Sequence, residues 1–551
     1  MTINTRIHTR TQTSTANARG RAGLVTSPHT LASEAGRDVL ARGGNAIEAA
    51  IAMAAALCVT MPHFTGLGGD GFWLIAAPGQ PVESISGIGQ AARNLPNFDG
   101  AIPVRGPASA LTSAATVAAW EAAYRTSREH WGGTLAWDAL LAPAIALAQD
   151  GFALTRSQHF WTTYRADEYG DAERWRGFAQ TFLADGAIPA IGTTFRQPAL
   201  AATLRTLATN GPRDFYEGAL AQRIARGLRE AGSPLDADDL AATRVRCAPP
   251  LTLRYGEGVL ATLPPPTQGM TTLQIMGILA KLGLRDCAHG SADYYHRLVE
   301  AVKQAFIDRD RHLADPDTQD VPVDRLLGDA HLAACAARIE PTRALAWPHR
   351  FREGDTVYLA ATDAQGRAVS VLQTIFHDWG SGVMAGDTGI LWHNRGAAFR
   401  APGGGPHRDA HPNVIAPGKR PFHTLNPGMY LVDGRARLLY GTQGADGQPQ
   451  TLAALLTRLI DYRMDPLAVL AQPRFLLGRT FSDSRDNLKL ETHAGREVFD
   501  ALAARGHEIA ELPPLSPLGG QAGVICLDVD DAGFVACGAH DPRSDGVALA
   551  V

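Results

Sequence analysis

The chain predicts a layered α+β fold, an α/β/α or related sandwich, and three observations carry that reading. Helical periodicity dominates from about residue 108 to residue 340. At Thr356 the pattern switches to hairpins: VYLAATDAQGRAVSVLQT comes first, and MYLVDGRARLLYGT and AGVICLDVDDAGFVACGAH repeat its style. Helical segments such as TLAALLTRLIDYRM and GREVFDALAARG lie between those hairpins, so strands and helices must share one set of layers.

Taken in order, the first 22 residues, MTINTRIHTRTQTSTANARGRA, are polar and Thr/Arg-rich and have no apolar h-region. They predict a disordered tail rather than a secretory signal, with order from Gly23. GLVTSPHTLASEAGRDVLARGGNAIEAAIAMAAALCVTMP reads as a short strand and two helices. Thr30 is suited to cap the first helix and Gly43-Gly44 to stop it. Asn45, with Glu48 three residues on, makes a capping box for the second. That second helix is Ala-rich nearly all round, which suits a buried position. The turn Gly66-Leu67-Gly68-Gly69-Asp70-Gly71 leads into the apolar strand FWLIAAP. It is not a phosphate loop, because it lacks the Lys-Ser/Thr and precedes a strand rather than a helix. Pro264-Pro265-Pro266 interrupts the helical region, Gly269 permits a turn, and residues 343–354 lose periodicity and read as loop.

Composition excludes several function classes. Hydrophobic residues make up 45% and charged residues 19% of 551, the balance of a globular protein large enough for more than one domain. A net charge of −4 and a pI near 6.5 give no reason to expect nucleic acid as a partner. The longest apolar run, residues 49–61, has the length of a buried core helix and not of a membrane span. Six cysteines are scattered singly, with no CxxC and no His/Cys spacing of a zinc site. They read as reduced, buried thiols of a cytoplasmic protein, and no metal or cofactor is expected.

Ordered blocks along residues 23–545 carry a family resemblance. LASEAGRDVLARGGNAIEAAIA and PHFTGLGGDGF come first, then LLAPAIALAQDGF, DFYEG, LPPPTQG and AFIDRDRHLADP. GDTVYLAATDAQGRAVSVLQT, WGSGV, GILWHNRG, PGKRPFHTLNP, GTQGADGQPQ and GAHDPRSDG follow. In this order they resemble the γ-glutamyltranspeptidase family. The resemblance implies a four-layer αββα sandwich of the N-terminal-nucleophile hydrolase type, made as one precursor. It implies cleavage between Asp355 and Thr356 into a large subunit, residues 23–355, and a small subunit, residues 356–551, which can assemble further into oligomers. Thr356 is then the nucleophile, and its freed α-amine, with an ordinary pKa of about 7.7–8.0, is the base. Thr374, on the opposite strand, is expected to orient that hydroxyl. Gly444 and Ala445 are expected to offer backbone N–H groups to the oxyanion, with Ala445 restricting φ where the family has glycine. Read without the flanking blocks, Thr356 and Thr374 are equally at home as ordinary β-formers of a hairpin.

The family's grip on glutamate does not carry over. SISGIGQ stands where an Arg is expected, Ala398 takes an acidic position, and Phe422-His423-Thr424 replaces a Ser-containing segment. Phe376 replaces an Asn. A clamp on charged groups cannot be rebuilt from such residues without a large loss of affinity. New polar residues appear instead, His377, Arg395 and His423, and with Asn394 and Thr424 they form the expected substrate-binding set, Arg395 being suited to a bidentate hold on a carboxylate. This set resembles one branch of the family, the oxamate amidohydrolases of purine-ring catabolism, and implies a small-molecule amide substrate. The alternatives are a γ-glutamyl hydrolase or transpeptidase with a rebuilt clamp, an acylase of the cephalosporin type, and a non-catalytic metabolite binder.

Overall fold

The computed structural model describes residues 16–98, 100–171, 174–347, 355–402, 411–478, 485–531 and 533–551. Two seven-stranded sheets, antiparallel throughout, stack at its centre. In the first the strand order is Val547–Ala550, Gly23–Ser27, Asp355–Asp363, Ala368–Phe376, Asp70–Ala76, Glu83–Gly87 and Arg246–Ala248. In the second it is Ala18–Gly20, Gly533–His540, Ala522–Asp530, Arg435–Thr442, Gly428–Val432, Gly258–Thr262 and Leu251–Tyr255.

Period-two alternation makes the four layers. Leu24, Phe72, Leu74, Tyr358 and Leu372 of the first sheet pack on Met429, Leu439, Ile525 and Leu527 of the second. Their neighbours Val25, Trp73, Ile75, Leu359 and Val371 face outward into a helical layer containing Ala46–Thr60. On the far side, Leu438, Tyr440 and Val524 face the helices Gly269–Lys281, Ala292–His312 and Gln448–Leu456. The α+β sandwich expected from the sequence is therefore present, as helix, sheet, sheet, helix. Gly441 and Gly523 let the sheets close: a Cβ on either would meet the Tyr358 ring, at 2.1 and 2.8 Å.

Local expectations fared unevenly. Every residue of Ala46–Thr60 is buried, and Asn45 and Glu48 form the reciprocal capping box. Thr30 is not the cap of the preceding helix, Thr30–Ala41: the His29 ring accepts from Leu31 N, and the Thr30 hydroxyl donates to the Asp545 carbonyl. The tail expected over residues 1–22 is shorter, because Ala18–Gly20 pairs with residues 536–538 and finishes one sheet edge; residues 1–15 lie outside the described ones. The mostly helical stretch hides strands, since LTLRYGEGVLAT forms the hairpin Leu251–Tyr255 and Gly258–Thr262 that completes the second sheet. Cys58, Cys287 and Cys335 are buried free thiols as expected, whereas Cys247 is exposed and Cys526 and Cys537 are half-buried. No described helix is long and apolar enough to cross a membrane.

Candidate active site

Asp355 and Thr356 open the central hairpin. The strand Asp355–Asp363 pairs with Ala368–Phe376, with a register shift between Asp355 and Val357 that frees Thr356 from regular pairing. Thr356 is buried, and its Oγ1 has no hydrogen-bond partner. Opposite it, the Thr374 hydroxyl accepts from Phe376 N at 2.7 Å and donates to the Asp355 carbonyl at 2.5 Å. Because the Phe376 N–H occupies a lone pair of that hydroxyl, its proton is directed at the carbonyl preceding Thr356. In the continuous chain Thr374 thus touches the carbonyl and not, as the sequence reading had it, the Thr356 hydroxyl. Phe376 sits at φ +81°, a conformation that costs a non-glycine residue energy and is held by its surroundings.

The glycine-rich turn serves close approach. A Cβ at Gly69 would lie 2.1 Å from the Thr374 carbonyl oxygen, so only glycine lets that turn run against the hairpin. Asp70 then falls opposite Thr374 in the sheet. Its carboxylate is fully buried and accepts from Gly89 N at 2.9 Å, while His423 Nε2 lies 3.1 Å and His393 Nδ1 3.5 Å away. Burial alone would raise the Asp70 carboxyl, but the charge and hydrogen bonds of His393 and His423 hold it well below the usual carboxylate range. Burial also drives His423 down to about 3.

The turn after Arg435–Thr442 lies on the other side of Asp355, and Gln443 Nε2 reaches Asp355 Oδ1 at 3.3 Å. Gly444 has φ +120° and Ala445 φ +41°, so the alanine does adopt the left-handed geometry that its type resists. A buried chain of polar groups holds it there. Gln268 Nε2 donates to the carbonyls of Ala445 at 2.7 Å and Thr424 at 2.6 Å, and Arg309 NH1 donates to Gln268 Oε1 at 3.2 Å. Arg309 is also paired with Asp446 at 3.1 Å.

The five expected substrate-binding residues are brought together, but not all are available. Arg395 is buried, its guanidinium 3.6 Å above the Phe376 ring, with NH2 3.4 Å from Thr424 Oγ1. Ala398 and Phe376, the positions where the glutamate clamp is lost, are buried beside it in sequence or space. Asn394 is committed to the backbone, accepting from His377 N at 3.1 Å and donating to Val104 O at 2.7 Å. His423 is committed to Asp70 and, through Nδ1, to Leu425 N at 3.4 Å, so the substrate contact expected of it would break existing bonds. His377 is half-buried, and burial, with Arg105 nearby, lowers it to about 3. Next to it, the buried Asp378 carboxylate takes a bidentate hold from Arg165 at 2.6 and 2.7 Å and a contact from Arg105 at 3.3 Å. Sequence reasoning missed Asp70, His393, Gln268, Arg309, Asp446, Arg105, Arg165 and Asp378. Their partners lie tens to hundreds of positions away, and the quoted blocks GLGGDG, LPPPTQG, AFIDRDRHLADP, GILWHNRG and GTQGADGQPQ contained Asp70, Gln268, Arg309, His393 and Asp446 without showing what they touch.

The sandwich with a threonine at the head of its central hairpin is the architecture of a hydrolase of the N-terminal-nucleophile type, and it matches the solved cephalosporin acylase of Bacillus halodurans. That match has a TM-score of 0.87 at 29% identity, covering 100% of this chain and 99% of the acylase. The model of the γ-glutamyltranspeptidase family matches residues 32–551, and the chain belongs to that family. It is 44% identical to an oxamate amidohydrolase proenzyme of Klebsiella pneumoniae subsp. pneumoniae, over 96% of this chain and 98% of that protein. A glutathione hydrolase-like proenzyme of Bacillus subtilis is 39% identical over 97% of this chain and 99% of its own length.

Proposed function

We propose that the chain is a self-processing amidohydrolase that cuts between Asp355 and Thr356 and then hydrolyses the amide of a small carboxylic acid, oxamate being the first candidate. The observation that carries this reading is the Thr374 hydroxyl on the Asp355 carbonyl beside a buried, unpartnered Thr356 hydroxyl. Attack of Thr356 Oγ1 on that carbonyl carbon puts negative charge on its oxygen, where Thr374 donates. The peptide nitrogen leaves as the α-amine, giving an ester that water opens. The chain before the cut becomes the large subunit, residues 23–355 together with the strand Ala18–Gly20 that precedes them, and residues 356–551 become the small one.

In turnover the freed α-amine takes the Thr356 proton as the hydroxyl attacks the substrate amide, and Gly444 N–H and Ala445 N–H receive the oxyanion. Protonated by that amine, ammonia leaves; water then hydrolyses the acyl ester and releases the diacid. Arg395 holds the substrate carboxylate, its guanidinium flattened on Phe376. The loss of the glutamate clamp and the 44% identity to an oxamate amidohydrolase proenzyme both favour a short substrate. The same reading makes the protein cytoplasmic and its reaction a step in purine-ring breakdown. The decisive assay compares ammonia release from oxamate with p-nitroaniline release from γ-glutamyl-p-nitroanilide. Oxamate is expected to win clearly, and preference for the γ-glutamyl compound would overturn the small-amide reading.

A further inference from the structure

We propose that Asp308, His331 and Cys335, joined by the Gln274 amide, form a binding site for a borderline-soft divalent cation of the zinc class, in the helical layer that covers the second sheet. The ligand atoms of Asp308, His331 and Cys335 lie within 4.8 Å of one another, and with Gln274 the group draws on three helices that packing brings together. His331 and Cys335 are four apart on Asp329–Ala337 and so share one face of it, Asp308 lies on Ala292–His312, and Gln274 on Gly269–Lys281.

The distances suit a tetrahedral ion. Cys335 Sγ and His331 Nε2 are 3.5 Å apart, the span expected across a metal with bonds of roughly 2.3 Å to sulfur and 2.0–2.1 Å to nitrogen. Asp308 Oδ2 is 2.6 Å from the same Nε2, a hydrogen bond that opens by well under an ångström when an ion replaces the shared proton. The Gln274 amide reaches the cluster, its Nε2 2.5 Å from Asp308 Oδ2 and 3.4 Å from His331 Nε2, while its buried Oε1 has no partner. Turning that amide end for end aims an oxygen at the ion and supplies a fourth ligand. Arg338 NH2 lies 3.0 Å from Cys335 Sγ and would support the thiolate, and Arg338 Nε is itself fixed on Gln304 at 3.0 Å. An open cavity of about 870 Å³, lined by Asp308, His331, Gln304, Arg311 and Arg338, gives an entry path. On binding, the Cys335 thiol and the Asp308–His331 hydrogen bond release their protons to solvent, and the cation takes their place.

The other His/Glu group among the described residues, His296, Glu300 and His507, is not of this kind. Its carboxylate is already taken by Lys303 Nζ at 2.7 Å and Leu345 N at 3.1 Å, and its two histidines bond each other at 2.8 Å.

The test is titration of the chelator-stripped, full-length protein with Co²⁺ and then Zn²⁺. One equivalent of Co²⁺ should bind with a thiolate-to-cobalt charge-transfer band that Zn²⁺ abolishes, and Zn²⁺ should raise the Tm. Cys335→Ser should lose the band and the Tm rise, and Asp308→Asn and His331→Gln should each weaken binding at least about tenfold. Equal Tm values of the metal-free variants and wild type identify folded variants, and the partly exposed His331→Gln carries the test if Cys335→Ser does not fold. A wild type without the band overturns the proposal. So does a band that survives Cys335→Ser or disappears in the Cys526→Ser/Cys537→Ser control, or cobalt affinity unchanged in a folded His331→Gln.

Discussion

At the scale of single residues, the proposed chemistry rests on two hydroxyls and one guanidinium. Thr356→Ala should leave the chain as one full-length band on a denaturing gel after prolonged storage, where wild type resolves into a large and a small fragment. Spontaneous cleavage of the Ala variant at residue 355 would remove Thr356 from the processing reaction. Thr374→Ala takes the donor from the Asp355 carbonyl, and loss of one such donor costs about 10²–10³ in rate. Its processing half-time, followed on the same gels, should lengthen by about that factor, and Thr374→Ser should restore most of it. Arg395→Ala should raise the KM for oxamate about 10- to 100-fold, the value of a hydrogen-bonded charge, while processing continues. An unchanged KM would take the carboxylate away from Arg395.

At the scale of elements, the turn after Arg435–Thr442 is the part most at odds with its own sequence. Ala445 holds a left-handed φ because Gln268, fixed by Arg309, grips its carbonyl. Gln268→Ala leaves two buried carbonyls without that donor, at about 1–3 kcal/mol each. Amide hydrolysis should therefore lose kcat, on the order of 10²-fold if the oxyanion N–H groups move, with KM for oxamate little altered. Steady-state kinetics on the processed variant separate the two. Gly444→Ala is sterically open, with the nearest atom 4.0 Å from the added carbon. Its cost, about 1–3 kcal/mol, would come from φ +120° alone and should appear as a lowered Tm. A second element holds the chain upstream of the proposed cleavage point. The buried Glu300–Lys303 pair on Ala292–His312 anchors both the N–H and the carbonyl of Leu345, upstream of Asp355. Removing one member of such a pair strands the other charge.

For the whole molecule, acid should act through histidines that burial keeps neutral. Burial lowers His29 and His540 to about 4, and His63, His377, His423 and His507 to about 3. An unfolded chain protonates them near pH 6.5, so between that value and about 3–4 the unfolded state holds more protons than the native one. Stability is then lost as pH falls through this window, by up to about 1.4 kcal/mol per pH unit for each such histidine. Asp70 acts in the same direction at lower pH: its depressed carboxyl contributes stability that is full above the ordinary carboxylate pKa and is lost as pH falls through and below that range. The Tm should accordingly drop between pH 7 and pH 5, before carboxylates titrate. A flat Tm over that interval would mean that these histidines are not held neutral.

Local pattern was enough for what is periodic or contiguous. The layered α+β class, the buried Ala46–Thr60 helix with its capping box, the hairpins of the small subunit and the pairing of the strand that holds Thr356 with the strand that holds Thr374 all follow from residues close in sequence, where propensity and alternation act. Local pattern misjudged the edges. Ala18–Gly20 and the Leu251–Thr262 hairpin become strands because a sheet edge offers them hydrogen bonds, an inducement that no window of sequence contains. Only the tertiary structure decided what each polar group is for. It spent His423 on Asp70 and Asn394 on the backbone, turned the Thr374 proton to the Asp355 carbonyl, and set Gln268 under Ala445. A buried donor must find an acceptor wherever the fold provides one, and which acceptor is near is a property of the packed chain and not of its order.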